Sequence, residues 1–166
     1  MHTEYEKEHS LEERIAALLR QRGFTVTTTE SCTGGLLAGR LINAAGISEV
    51  YKEGYITYSN EAKEKLLHVS HETLETYGAV SEQTAQEMVL GAAEAAGAQA
   101  ALATTGIAGP DGGTPKKPAG LVYIGCHVNG VTTVERHMYA GERAQVRSMA
   151  VESALLLLEQ MLLGVC

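Results

Sequence analysis

Along this chain, segments with the hydrophobic spacing of amphipathic helices alternate with short segments that have the pattern of strands. This alternation is the sequence feature that most limits which folds are possible. Ser10 followed by Glu13 has the spacing of a capping box, which predicts the start of a first helix. Asn129-Gly130, between two alternating segments, is a strong signal for a two-residue hairpin. Helices that alternate with buried strands usually cover both faces of a sheet. We therefore predict an α/β fold, a three-layer α/β/α sandwich on a mixed, mostly parallel sheet with one C-terminal antiparallel hairpin.

The positions of the other elements follow from periodicity and from capping residues. We predict a strand leading into Ser31, a helix over 36–44, a strand over 55–58, a helix capped by Ser59 or Asn60, an alanine-rich helix capped by Ser81, a buried strand in "AQAALATTG" and a final helix over about 142–163. The buried face of the final helix is predicted at Val146, Met149, Ala150, Ser153, Leu156 and Leu157.

The composition limits the class of protein. A chain of 166 residues with 45% hydrophobic residues fits one domain with a sizeable core. We expect a single domain over 1–166, with residues 1–9 as a flexible tail. The net charge of −7 disfavours a nucleic-acid surface, and no apolar run is long enough to cross a membrane. Three cysteines without metal-like spacing and a polar N-terminal segment favour a reduced, cytoplasmic setting.

Three stretches of the chain directly follow predicted strands, namely 31–35, 58–63 and 105–120. Ligands of an open α/β sheet bind outside the carboxyl ends of its strands. We therefore expect these three stretches to meet at one edge of the sheet and to form the functional site there.

Ser31 lies at a predicted strand-to-helix turn, near helix N-terminal N–H groups that could stabilise an oxyanion. A serine hydroxyl needs a base, and Lys63, early in a helix that follows a strand end, is a better candidate than the histidines. The helix N-terminus and partial burial would both disfavour its charge, whereas most helix lysines are simply solvated. Cys32 is a rival nucleophile, because thiolates at helix N-termini are activated. The residues alone leave the choice between Ser31 and Cys32 open.

The glycine- and proline-rich loop 106–120 and two arginines of the last helix are candidate ligand-binding features. The loop matches no nucleotide-binding fingerprint, so it could be a phosphate cradle or a structural loop, although loops of this length usually have a function. Arg143 and Arg147 lie four residues apart at a helix start, which suits a phosphate and equally suits a solvated face that pairs with nearby glutamates. His68 and His71 have no third ligand at a suitable spacing, so we expect no metal site.

Five ordered motifs together resemble the CinA C-terminal domain family, which includes the bacterial nicotinamide-nucleotide amidohydrolases. They are "ESCTGG", "GYITYSNEAK", "GAVSEQTA", "TGIAGPDGGTPKKPAGLVYI" and "GERAQVR". The resemblance covers nearly the whole chain, from about Leu11 to the last helix, and in some family members this domain follows a larger N-terminal domain. It implies a serine amidohydrolase in which Ser31 is the nucleophile and Lys63 is the general base.

The resemblance also implies roles for further residues. Thr105 and Gly106 would begin the substrate loop, and Arg143 would be the first candidate for the phosphate contact, with Arg147 second. The glycine turn after the nucleophile would shape the oxyanion and ligand contacts. The implied site residues are Ser31, Lys63 and Tyr58 for catalysis, and Thr33, Gly34, Gly35, Ser48, Thr105, Gly106, Arg143 and Arg147 for substrate binding.

The reaction that the resemblance implies is deamidation of nicotinamide mononucleotide to nicotinic acid mononucleotide and ammonia, with no cofactor and no metal. The alternative is a non-catalytic nucleotide-binding or competence-related interaction module, which ammonia release would distinguish from an enzyme. The expected partner is a small pyridine nucleotide rather than a nucleic acid or a membrane. We also expect a homo-oligomer, namely a dimer.

Overall fold

The computed structural model describes residues 9–164, and most of the predicted tail over 1–9 therefore lies outside the described residues. Five strands form one sheet in the order β2-β1-β3-β4-β5. The strands are β1 (Val26–Glu30), β2 (Tyr55–Ile56), β3 (Ala100–Gly106), β4 (Leu121–Val128) and β5 (Val131–Met138). The first three are mutually parallel, whereas β4 is antiparallel to both of its neighbours. The predicted mixed sheet with a C-terminal antiparallel hairpin is confirmed.

Within residues 9–164, six α-helices cover the two faces of this sheet. They are α1 (Leu11–Arg22), α2 (Leu36–Leu41), α3 (Asn60–Leu67), α4 (His71–Tyr77), α5 (Glu82–Ala96) and α6 (Arg143–Gly164), with a short 3-10 turn at Ile47–Glu49. Buried side chains of α1, α2 and α6 form one core cluster, and those of α3, α4 and α5 contribute to a second. The predicted three-layer sandwich is therefore confirmed. Among the residues described, no helix has both the length and the apolar character that crossing a membrane requires.

The central strand β3 is buried on both faces, and its side chains alternate between the two cores. Ala100 and Leu102 belong to the cluster with α1, α2 and α6, whereas Ala101 and Ala103 belong to the cluster with α3, α4 and α5. Small side chains and glycine allow the helices to approach closely. A Cβ atom on Gly91 of α5 would lie only 2.0 Å from the Leu67 carbonyl oxygen at the end of α3.

Local capping signals place the helix starts as predicted. Ser10 and Glu13 form the capping box of α1, in which the Ser10 hydroxyl accepts from the Glu13 N–H and the Glu13 carboxylate accepts from the Ser10 N–H. Ser59, rather than Asn60, caps α3, and Ser81 caps α5 by accepting from the Thr84 N–H.

Two predicted boundaries are wrong. The strand predicted over 55–58 ends at Ile56, because the carbonyls of Thr57 and Tyr58 accept hydrogen bonds from the Lys63 amine instead of pairing within the sheet. The helix predicted over 36–44 ends at Leu41, since the N–H groups of Asn43 and Ala44 bond three residues back in tight turns.

The predicted buried face of the last helix is also partly wrong. Leu156 is 43% exposed, while Ala154, Leu155 and Leu158 are buried. Helix α6 packs against both α1 and β4, so its buried surface is wider than the stripe that a helix with one neighbour would show.

Candidate active site

The carboxyl ends of β1 and β3 lie side by side at the centre of the sheet, and the residues that follow them meet around one cavity. Its volume is about 270 Å³, and its walls include Ser31, Cys32, Tyr58, Thr105, Gly106 and Arg143. The structure thus brings together the stretches that follow β1, β2 and β3, as expected from the position of strand ends in an α/β sheet.

Lys63 is entirely buried and lies directly behind Ser31. Its Nζ atom is 3.2 Å from the Ser31 hydroxyl oxygen, 2.8 Å from the Thr57 carbonyl oxygen and 3.4 Å from the Tyr58 carbonyl oxygen. No carboxylate within the described residues forms an ion pair with this amine. Desolvation therefore lowers the pKa of Lys63 to about 8.

The three contacts of the Lys63 amine match the valence of a neutral amine. A neutral amine has two N–H bonds and one lone pair, and the carbonyls of Thr57 and Tyr58 can accept only N–H bonds. The charged amine donates its third N–H bond to the Ser31 hydroxyl oxygen. When the amine is neutral and both of its N–H bonds are donated to these carbonyls, its lone pair faces the Ser31 hydroxyl. The geometry therefore allows the hydroxyl to donate its proton to Lys63, as a general base requires.

Cys32 does not share this activation. Its thiol is buried, and desolvation raises its pKa to about 11, with the charge of Glu30 acting in the same direction. A thiol with such a pKa stays protonated at neutral pH, and the protonated form is not the nucleophile. The geometry and the electrostatics thus favour Ser31 over Cys32, a choice that the residue pattern left open.

Glu30, which the sequence reasoning missed, holds the turn that carries Ser31. Its carboxylate is almost completely buried and accepts hydrogen bonds from the N–H groups of Gly35, Leu37 and Ala38, at 2.8–3.1 Å. A carboxylate of the chain itself therefore occupies the N-terminus of α2 and fills the position where a helix could bind a phosphate. The signal in the sequence was an acidic residue at the end of a predicted buried strand, six residues before a predicted helix start.

Thr33, Gly34 and Gly35 shape this turn in different ways. The Thr33 hydroxyl donates to the Glu30 carboxylate at 2.6 Å and lies 2.7 Å from the Thr104 hydroxyl. The Thr33 side chain is fully buried beneath the turn and holds the turn in place, and the substrate-binding role expected of Thr33 stays a prediction. Gly34 and Gly35 have φ values of +57° and +105°, which L side chains rarely adopt, so they allow the sharp reversal into α2.

Thr105 and Gly106 lie in the opposite wall of the cavity, at the end of β3. The Thr105 hydroxyl donates to the Ala79 carbonyl at 2.7 Å and thereby links β3 to the segment before α5. A Cβ atom on Gly106 would lie 2.7 Å from the Leu121 carbonyl oxygen, so this position requires glycine. Both residues line the site, and Thr105 contributes to its shape through this hydrogen bond.

Arg143 and Tyr58 lie at the mouth of the cavity. Arg143 donates to the Gly109 carbonyl at 3.0 Å and to the Tyr58 hydroxyl at 3.4 Å, and Tyr58 is 64% exposed. Arg143 also lines a second, adjoining cavity of about 750 Å³ between the 106–120 loop and the start of α6. An extended ligand could therefore reach from Ser31 past Arg143 into the larger space.

Arg147 has a different environment from Arg143, although both line the larger cavity. Its guanidinium donates to the carbonyl oxygens of Cys32 and Thr33, at 3.0 Å each. Arg147 is therefore attached to the backbone of the Ser31 turn rather than held free for a ligand.

The structure does not bring Ser48 to this cavity. Ser48 is exposed in the turn Ile47–Glu49. This turn is followed by Val50, whose carbonyl accepts a hydrogen bond from the N–H of Val26 at the beginning of β1. Ser31 follows the other end of that five-residue strand, roughly 16 Å away at about 3.3 Å per residue. The expectation that Ser48 belongs to the site with Ser31 is therefore wrong within a single chain, because the resemblance carried no information about which strand end this loop adjoins.

No three His, Cys, Asp or Glu side chains within the described part of the chain lie close enough together to hold a metal ion. Besides Ser31, the polar side chains that line the small cavity include Tyr58, Asp111 and Arg143.

Comparison with known proteins identifies the family. Residues 8–162 match the model of the CinA C-terminal domain. This chain belongs to the CinA C-terminal domain family. A "CinA-like protein" of Kosmotoga olearia is 55% identical over 148 residues, which cover 89% of this chain and 36% of that protein. The chain thus spans about a third of the length of the curated CinA relatives it matches.

Solved structures of the CinA superfamily share the fold. A competence damage-inducible protein A from Klebsiella pneumoniae has 41% identity and a TM-score of 0.90, with 94% of this chain and 97% of that chain covered. A competence/damage inducible protein from Agrobacterium tumefaciens has 45% identity and a TM-score of 0.87, with 89% and 91% covered. These names describe competence and damage induction and state no reaction.

Proposed function

We propose that this CinA domain is an amidohydrolase that converts nicotinamide mononucleotide to nicotinic acid mononucleotide and ammonia through an acyl-enzyme on Ser31. The observation that carries the proposal is the fully buried Lys63 amine, 3.2 Å from the Ser31 hydroxyl, with its pKa lowered to about 8. A serine that only stabilised the turn would not need a desolvated base beside its hydroxyl.

In the first half of the reaction, the Ser31 oxygen attacks the carboxamide carbon while its proton moves to Lys63. Backbone N–H groups of the turn stabilise the oxyanion of the tetrahedral intermediate. The carbon–nitrogen bond then breaks, and Lys63 returns the proton to the departing nitrogen, which leaves as ammonia. In the second half, Lys63 takes a proton from water as the water oxygen attacks the acyl carbon. The bond between that carbon and the Ser31 oxygen then breaks, Lys63 returns the proton to the Ser31 oxygen, and the acid product leaves and loses its own proton to solvent.

The shape and charge of the site support a pyridine nucleotide as the substrate. The small cavity has apolar walls at Val80, Ile107 and Ala108 that suit a flat ring whose carboxamide points towards Ser31. The adjoining larger cavity would take the ribose and phosphate, with Arg143 on the shared rim as the phosphate contact. The resemblance to nicotinamide-nucleotide amidohydrolases names the same substrate class.

The direct test is ammonia release from nicotinamide mononucleotide by the purified protein. We expect turnover by the wild type, none by Ser31→Ala, and near-normal turnover by Cys32→Ala, the matched control at the neighbouring position. Full activity of Ser31→Ala would refute the mechanism. Nucleotide binding without ammonia release by the wild type would instead identify the domain as a binding module.

A further inference from the structure

Arg147 contacts two consecutive carbonyl groups directly after the nucleophile. Its Nε atom donates to the Cys32 oxygen and its Nη2 atom donates to the Thr33 oxygen, both at 3.0 Å. Among the described residues, no carboxylate forms an ion pair with this guanidinium. The arginine of α6 therefore directs its charge at the backbone of the Ser31 turn.

These two carbonyls belong to the same peptide units as two particular N–H groups. The Cys32 carbonyl shares a planar unit with the Thr33 N–H, and the Thr33 carbonyl shares one with the Gly34 N–H. In a trans peptide the two groups point in opposite directions, so fixing the carbonyl also fixes the N–H. A hydrogen bond to the carbonyl also polarises the unit and makes its N–H a stronger donor.

Within the described residues, the N–H groups of Cys32, Thr33 and Gly34 have no hydrogen-bond acceptor; Thr33 is fully buried, whereas Cys32 lines the cavity and Gly34 is exposed. The Ser31 N–H donates to the Thr104 carbonyl. The N–H groups of Gly35, Leu37 and Ala38 donate to the Glu30 carboxylate. The donors left available to a ligand are thus the N–H groups of Cys32 and Gly34, which flank the two carbonyls that Arg147 holds.

We propose that Arg147 is a positioning residue for the oxyanion site: by holding the carbonyls of Cys32 and Thr33, it aims the N–H groups of Cys32 and Gly34, which bind the negative oxygen that forms when Ser31 attacks. This replaces the expectation that Arg147 contacts the substrate phosphate. The inference rests on Ser31 being the nucleophile of the proposed function, but not on the identity of the nucleotide.

The test uses an uncharged alkyl fluorophosphonate, which carries no anionic phosphate for an arginine to read. The Ser31 oxygen attacks phosphorus, the phosphorus–fluorine bond breaks, fluoride leaves, and the hydroxyl proton passes to Lys63. The phosphoryl oxygen takes the position of the oxyanion during attack. The rate of adduct formation on Ser31, followed by mass spectrometry, therefore reports on the oxyanion site without nucleotide binding.

We expect Arg147→Lys and Arg147→Ala to slow labelling of Ser31 at least tenfold, on the order of the loss when an oxyanion donor is removed. Lysine keeps the charge but cannot span two carbonyls, so it should not restore the rate. Guanidinium ion added to Arg147→Ala should restore part of it. Arg14→Lys is the matched control, because Arg14 also fixes α6 by two bonds, to Glu159, but far from the turn.

Three outcomes would overturn the inference: normal labelling rates in both Arg147 variants, an equal slowing in Arg14→Lys, or no adduct on Ser31 of the wild type. If labelling depends on Arg147 while the wild type releases no ammonia from nicotinamide mononucleotide, the inference stands and the proposed substrate is wrong. A thermal unfolding curve of each variant separates loss of the fold from loss of the oxyanion site, and Arg147→Lys provides the result if Arg147→Ala does not fold.

Discussion

The pH dependence of turnover follows directly from the burial of Lys63. With a pKa of about 8, about a tenth of the Lys63 amine is neutral at pH 7, whereas an amine with the ordinary value of 10.5 would be neutral in roughly one molecule in 3,000. Desolvation thus raises the fraction of competent base about 300-fold at this pH. We expect kcat/KM to rise about tenfold from pH 7 to a plateau above pH 9, along one ionisation near pH 8.

Variants of Lys63 separate the role of its neutral amine from the role of its charge. Lys63→Arg should be nearly as inactive as Lys63→Met, because a guanidinium keeps its proton at every usable pH. The assay is ammonia release between pH 6 and 10, with nucleotide binding measured separately. A flat profile over this range, or near-normal turnover of Lys63→Arg, would refute the reasoning, and Tyr58 would be the next candidate for the base.

The same lowered pKa makes a prediction about stability, with a definite sign. Between the folded-state pKa of about 8 and the ordinary 10.5, the unfolded chain binds more protons than the folded chain, so stability rises with pH. Below that window the Lys63 amine is charged in both states, and its desolvation destabilises the folded state. The free energy of unfolding should therefore be about 3 kcal/mol higher above pH 10.5 than below pH 8. This difference should be absent from the urea unfolding curves of Lys63→Met across the same pH range.

Three further predictions test other parts of the site and the fold. Arg143→Ala should weaken binding of nicotinamide mononucleotide by roughly 1.5–3 kcal/mol but leave binding of nicotinamide riboside nearly unchanged, and equal losses in calorimetry would show that Arg143 does not read the phosphate. Cys32 of the native protein should resist thiol reagents at pH 7, because its pKa is about 11, and rapid modification would contradict its protonated state. Gly91→Ala should lower the free energy of unfolding by roughly 1–3 kcal/mol, because its Cβ would clash with a carbonyl of α3, while Gly39→Ala, with open space around it, should not.

What the sequence predicts well is what depends on local pattern. Helix caps at Ser10 and Ser81 need only residues three positions apart, and the position of strand ends in an α/β sheet is a property of the topology. These two kinds of information suffice to bring Ser31, Lys63 and Thr105 around one cavity.

What the sequence does not predict depends on contacts between distant residues. Arg147 reaches the Ser31 turn across more than a hundred residues of sequence, so its helix spacing with Arg143 could not distinguish a backbone contact from a ligand contact. The prediction that Ser48 belongs to the site is wrong for a related reason. Its loop adjoins the beginning of β1, and no local pattern in the sequence states to which end of a strand a loop returns.

Glu30 and Arg147 together determine where an anionic ligand can bind. Glu30 occupies the N-terminus of α2, so a substrate phosphate at that position would meet a buried carboxylate and be repelled. Arg147 is held by the carbonyls of the turn, which leaves Arg143 at the junction of the two cavities as the arginine open to a phosphate. On the proposed function, the nucleotide must therefore enter with its carboxamide towards Ser31 and its phosphate towards Arg143. The reverse orientation would place the carboxamide away from Ser31 and the phosphate against the apolar walls of the small cavity.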